Sequence, residues 1–200
     1  MIFVQIFPMI LSNICSLMAK QIERSKVSSV GIAFIDSTKL AVCHNKRINQ
    51  HRVLTDSASR RKSSVDWFYG FKLHLICDHV GQFVSYCITT GNMDDRKVLP
   101  DLVQSSKLKG KLFGDRGYIG ENWKVRLAEM GVQLITRIKR NMKPQALDPL
   151  DRAVLRKRGI IESPFNLMKS QFDLEHTRHR SKIGLLTTIF SALTLDLLRK

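Results

Sequence analysis

Two short apolar runs each close on an aspartate: Gly31-Ile32-Ala33-Phe34-Ile35-Asp36 and Lys111-Leu112-Phe113-Gly114-Asp115. A continuous apolar run this short fits a strand buried on both faces and is too short for a helix. A sheet covered on both faces needs helices on either side, so the runs constrain the chain to an α/β architecture. They also set two carboxylates at a sheet edge, where the functional groups of open α/β sheets collect.

The rest of the chain supplies the remaining elements. Trp67 to Cys77 alternates, with Phe71, Leu73 and Leu75 on one side and Lys72, His74 and Ile76 on the other. Asp78-His79-Val80-Gly81 reads as a turn and Gln82 to Thr90 as the returning strand of a hairpin. Leu40 to Cys43 reads as a second short strand after Asp36, and Val132 to Ile138 as the last one. Helical spacing is predicted over Met93 to Ser106, Glu121 to Met130, roughly Asp151 to Phe172, and Lys182 to the C-terminus. Trp123, Leu127 and Met130 form the inner face of the second of these, which Gly131 stops. Asn45 to Ser64 and Lys139 to Pro149 read as basic loops, the first long enough to be functional or mobile. Local antiparallel strands, then strands joined through helices, predict a mixed sheet flanked by helices.

The 200 residues suffice for one sizeable domain. We expect it over residues 31–200, preceded by an N-terminal helix and polar linker over 1–30. Met1 to Ala19 is apolar, but Gln5, Pro8, Ser12, Asn13 and Ser16 interrupt it. Without a basic leading segment it reads as a packed helix broken near Pro8, and no membrane partner is expected. Lys and Arg number 33 against 17 Asp and Glu, a net charge of +16 spread along the chain. Such a surplus on a globular protein draws it to nucleic acid. Cys15, Cys43, Cys77 and Cys87 form no C-x-x-C pair, so a structural zinc site is not expected and all four read as reduced. Cys77 and Cys87 are spaced to approach one another across the hairpin.

A third acid, Glu162, follows Arg158-Gly159-Ile160-Ile161 in a helical segment. Singly, each acid has a plainer role: Asp36 and Asp115 as turn or cap residues, Glu162 as the i, i+4 partner of Arg158. Together, three carboxylates in a basic chain suit divalent-metal chemistry on a polyanion. Phosphodiester cleavage needs an activated oxygen nucleophile and a stabilised leaving oxygen, and two divalent ions about 3.5–4 Å apart supply both. Magnesium prefers oxygen ligands, so carboxylates from different elements serve without cysteine or histidine.

These segments resemble the catalytic domain of bacterial insertion-sequence DDE transposases, which has a ribonuclease H-like fold. Phe34-Ile35-Asp36-Ser37-Thr38 resembles the first-aspartate motif and Gly114-Asp115-Arg116-Gly117-Tyr118 the second. Arg158, Glu162 and Lys169 match the helical signature, with three and then six residues between them. Gly91-Asn92-Met93-Asp94-Asp95 is similar to the segment after the third strand. The resemblance runs from about Gly31 to the C-terminal helix. It implies that Asp36, Asp115 and Glu162 are catalytic and hold two Mg2+ ions, with Mn2+ able to substitute. It implies cleavage and joining at insertion-sequence ends, with double-stranded DNA as element end and target. A homodimer is expected, because joining needs two ends held together, and so is a cytoplasmic location with bacterial DNA. Leu155 stands where the family often has tyrosine. Pro164 is expected to break the helix, with Ser163 capping a fresh one. Nothing before Asp36 resembles the family's upstream DNA-binding module, so the chain reads as a shortened copy; the alternative is an inactive, basic DNA-binding remnant.

For DNA contact the expected residues are Lys72, His74, Arg158, Lys169, Arg178, Arg180, Lys46 and Arg47. Lys72 and His74 share a strand face expected to point toward the first acid; imidazole suits DNA contact there better than magnesium. Arg158 and Lys169 lie on the helix of Glu162. Lys46 and Arg47, and Arg178 and Arg180, belong to the two densest basic segments without strand or helix period, Asn45 to Ser64 and His176 to Ser181. Asp94 and Asp95 read as helix caps, and Trp67 and Phe68 as core.

Overall fold

The computed structural model describes residue 16 and residues 31–62, 66–137, 147–174 and 179–198. Apart from residue 16, the expected N-terminal helix lies outside the described residues, as do Arg178 and most of the Lys139 to Pro149 loop.

The centre of the fold is a six-stranded mixed sheet. Its strands are β1 (Gly31–Cys43), β2 (Ser59–Lys62), β3 (Trp67–Asp78), β4 (Phe83–Thr90), β5 (Gly110–Gly114) and β6 (Val132–Thr136). The order is β2-β3-β1-β5-β6, with β4 also on β3. β1 runs antiparallel to β3 and parallel to β5, and β5 runs parallel to β6. β2 and β4 share one edge of β3, pairing with Trp67–Gly70 and Phe71–Cys77 in turn.

Among the described residues, the helices that cover the sheet are α1 (Leu99–Ser106), α2 (Glu121–Glu129), α3 (Pro149–Arg156), α4 (Glu162–Phe172) and α5 (Lys182–Leu198). Alternation along the strands splits the apolar residues into two cores. Ala33, Ile35, Ile76 and Leu112 pack with Leu99 and Leu102 of α1 and Leu127 of α2. Phe34, Leu73, Leu75 and Phe113 pack with Leu155, Ile161 and Phe165 of the α3–α4 segment and Ile189 of α5. Among the described residues no helix is long and apolar enough to cross a membrane.

Four expectations change. Leu40 to Cys43 is no separate strand: β3 pairs with β1 from Ala33 to Cys43, which holds the chain extended through Asp36. The Asn45 to Ser64 stretch contains a 3-10 turn (Asn45–Gln50) and β2, anchored by buried Leu54 and Ala58, two apolar residues too few to make a period. The single helix expected near Asp151 to Phe172 is α3, a 3-10 stretch (Lys157–Ile161) and then α4. In one continuous α-helix the Pro164 ring would crowd the carbonyl four residues back, and the chain tightens there instead. Pro164 sits in the first turn of α4, where its missing N–H has no helical partner to lose; the cap residue is Ile161, not Ser163. Finally, Cys77 pairs with Phe83 and Cys87 with His74, so the two thiols are not opposite, and Cys43, Cys77 and Cys87 form no disulfide among the described residues.

Gly70 permits the close contact of β1 and β3 where their register shifts beside Ala41. A Cβ there would lie 2.0 Å from the Leu40 carbonyl oxygen.

Candidate active site: three acids beside an arginine-lined cleft

The sheet register brings the first two acids together. Phe34 pairs with Phe113, and Asp36 and Asp115 each lie two residues further along. Alternation therefore sends Asp36 to the face of Phe34, the one covered by α3, α4 and α5. Asp36 is consequently mid-strand in β1, just beyond the last β1–β5 pair, and not at the strand's end. Asp115 leaves β5 at its C-terminal end and caps a 3-10 turn, Oδ1 accepting from the Gly117 N–H at 2.7 Å. A Cβ on residue 117 would lie 2.9 Å from that same oxygen. Glu162 opens α4 next to buried Ile161 and is exposed.

Electrostatics ties the three acids. Burial raises the pKa of Asp36 to about 6; the Ser37 N–H and Arg158 pull it down, while the charges of Asp115 and Glu162 push it up. Oδ1 of Asp36 accepts from the Ser37 N–H at 2.8 Å. Arg158 Nη1 stands 3.8 Å from Asp36 Oδ2, and this buried nitrogen has no hydrogen-bond partner. Arg158 thus pairs with Asp36, not with Glu162 as helical spacing suggests.

A cleft of about 400 Å³ opens here, lined by Asp115, Glu162, Arg116, Arg137, Arg156 and Arg158. Two acids and four arginines on one cleft can hold a phosphate group beside oxygen ligands for a cation. Sequence reasoning missed Arg116, Arg137 and Arg156 as cleft residues. The sequence pattern puts Arg137 inside a strand that runs to Ile138; β6 ends at Thr136, which leaves Arg137 at the strand end, a position comparable to that of Asp115.

The acids fit a hard divalent cation by chemistry. The donors are all carboxylate oxygens, and burial with like-charge repulsion, which hold Asp36 near 6, are what a cation would relieve. Among the described residues no three Asp, Glu, His or Cys side chains have closed into a metal cage. The acids sense one another's charge, and Arg158 stands against Asp36.

The expected DNA-contact residues divide. Lys72 and His74 do not face Asp36: they pair with Lys39 and Ser37, so strand alternation puts them on the opposite face. Both are buried. Lys72 Nζ donates to the Met93 carbonyl at 2.9 Å and to Asp95 Oδ1 at 2.6 Å. His74 Nε2 lies 2.9 Å from Thr89 Oγ1, and burial pushes its pKa down to about 4. Asp95 is therefore the half-buried partner of buried Lys72 and no helix cap, since α1 begins at Leu99 with Val98 as cap. Asp94 instead pairs with Arg96, whose Nη1 reaches the Ile119 carbonyl at 3.2 Å and so braces the turn after Asp115. Lys169 is half-buried on α4, while Lys46, Arg47 and Arg180 are exposed. Phe68 is core, but Trp67 is 43% exposed with the Arg60 guanidinium 4.6 Å from its ring centre.

Comparison with known proteins follows the same line. A family model described as "Transposase DDE domain" matches residues 26–182. No curated protein matches the chain in sequence. Among solved structures the chain is similar to a piggyBac transposase in a synaptic complex with hairpin DNA, with a TM-score of 0.55 and 9% identity. That match takes in 83% of this chain and 46% of the other, so this chain spans under half the length of that relative. At that identity the likeness is one of fold, and the mixed sheet flanked by helices is the expected ribonuclease H-like arrangement.

Proposed function

The chain belongs to the transposase DDE-domain family, and we propose that it cleaves and joins DNA phosphodiester bonds with Asp36, Asp115 and Glu162 as its catalytic acids. The observation that carries this reading is the geometry: the β1–β5 register sets Asp36 and Asp115 side by side, and Asp115 and Glu162 line one cleft with four arginines. Acids on three separate elements share one electrostatic environment at an arginine-lined cleft. Carboxylates brought together in this way are costly unless they have work to do.

Asp36, Asp115 and Glu162 would hold two divalent ions, Mg2+ or Mn2+. When bound, the ions supply an activated oxygen nucleophile and a stabilised leaving oxygen. The chain's own residues do the rest. Arg116, Arg137, Arg156 and Arg158 line the cleft and bind the scissile phosphate. The Gly117 N–H fixes the Asp115 carboxylate, and the Ser37 N–H fixes that of Asp36. Lys169, two turns beyond Glu162 on α4, lies on about the same helix side for a neighbouring phosphate. Water attacks first and breaks the P–O3′ bond; the freed 3′-hydroxyl then attacks a phosphorus of target DNA and displaces the target strand's own 3′-oxygen, which leaves as a hydroxyl, without a covalent enzyme intermediate. The solved relative's DNA complex supports DNA as the substrate class. A homodimer acting on bacterial DNA in the cytoplasm completes the proposal.

A second reading, a DNA-binding chain that does not cut, is favoured by one observation: the Arg158 guanidinium stands 3.8 Å from Asp36, on the carboxylate a cation would need. Incubation with end-bearing DNA and Mn2+ separates the two. Cleavage that disappears in Asp36→Asn supports the first; salt-sensitive binding without cleavage supports the second.

A further inference from the structure

The two basic segments that stand out in the sequence, far apart along the chain, meet in space. Arg47, Arg52, His44 and His51 come from the stretch after β1, and His179 and Arg180 from the residues before α5. Together with Ala41, Val42 and Cys43 at the end of β1 they line a groove of about 810 Å³ that contains no acidic residue. Arg47, Arg52 and Arg180 are all exposed. Among the described residues none of the three pairs with a carboxylate, whereas Lys182 nearby is bonded to Asp56 and Lys111 to Asp151. Leaving three guanidinium groups unneutralised on one concave surface is unfavourable in isolation and suits a polyanion.

The groove is separate from the acid cleft, and the two share no lining residue. It nevertheless lies on the same strand and side of the sheet. Phe34, Leu40 and Val42 of β1 belong to one core, and Asp36 has their alternation. Asp36 and Val42 are six positions apart on β1, or about 20 Å at a strand's rise of roughly 3.3 Å per residue. At about 3.4 Å per base pair that spans roughly six base pairs, so one duplex can reach both places.

We propose that this groove is a second DNA-binding site, holding the phosphate backbone of the duplex about six base pairs from the phosphate in the acid cleft. The proposal rests on the function proposed above for its substrate class. Arg47, Arg52 and Arg180 supply backbone contacts that set register without reading sequence.

The test is the salt dependence of binding of the full chain to a 30-base-pair duplex, followed by fluorescence anisotropy without divalent metal. Each phosphate contact contributes about 0.9 to the slope of log affinity against log salt. The Arg47→Ala/Arg52→Ala/Arg180→Ala variant should lose about 2.7 from that slope, and the triple Lys variant should keep most of it. An unchanged slope in the Ala variant overturns the proposal. A loss that Lys fails to restore overturns it too, because it marks a structural defect. Tighter binding of single-stranded RNA than of duplex DNA through the same three arginines would also overturn it. A separate nicking assay of the wild-type chain in Mg2+ or Mn2+ distinguishes the two readings: if the chain does not nick while the slope falls as expected, the catalytic assignment fails and the groove result stands.

Discussion

Asp36 and His74 titrate in opposite senses, and each leaves a mark on stability. The Asp36 carboxyl holds its proton up to about pH 6 in the fold, against 3.8 for an ordinary aspartate. Its contribution to stability is therefore fully present below about pH 4 and lost as pH rises through 6. Asp36→Asn should stabilise the metal-free chain by about 1–3 kcal/mol at pH 7 and by almost nothing at pH 4, measured by urea unfolding. His74 is held neutral, with its pKa down to about 4. Its contribution is fully present above the unfolded value of 6.5 and lost as pH falls toward 4. The two effects oppose each other between pH 4 and 6, so His74→Gln should raise relative stability on the acid side.

At the scale of elements, the turn after β5 and the loop before α1 make separable predictions. A methyl at residue 117 would meet the Asp115 carboxylate at 2.9 Å, and a side chain yields more easily than backbone. Gly117→Ala should leave the unfolding free energy within about 1 kcal/mol of wild type while nicking falls at least tenfold. Lys72 is buried and Asp95 half-buried, so Asp95→Ala should cost about 1–3 kcal/mol by removing one of the two acceptors of the ammonium. Lys72→Met/Asp95→Leu should recover most of that loss, read from a double-mutant cycle. The same elements show what was legible in the sequence. The runs ending at Asp36 and Asp115 announced buried strands because burial on both faces leaves no polar position. The face of Lys72 and His74 was misjudged, because alternation gives sides but not the register with β1 that decides which side Asp36 takes. Asp95 looked like a cap because its partner lies 23 residues earlier, beyond any local pattern.

For the whole molecule, the fold class and the order of the motifs could be read from sequence, since both follow from patterns within single elements. The arginine-lined cleft and the basic groove could not, because each joins residues from segments far apart in the chain. The proposed strand transfer holds two DNA ends together, so the chain should be dimeric when bound to end-bearing DNA; light scattering that finds only complexes of a single chain would count against strand transfer. The central claim is that Asp36, Asp115 and Glu162 act as one site. It is tested most directly by nicking of supercoiled DNA in Mg2+ or Mn2+, with Asp36→Asn, Asp115→Asn and Glu162→Gln compared with wild type for cutting and for binding. The account predicts that wild type nicks and that each variant falls to background while DNA affinity stays within about twofold; wild-type nicking by any one of the three would contradict it.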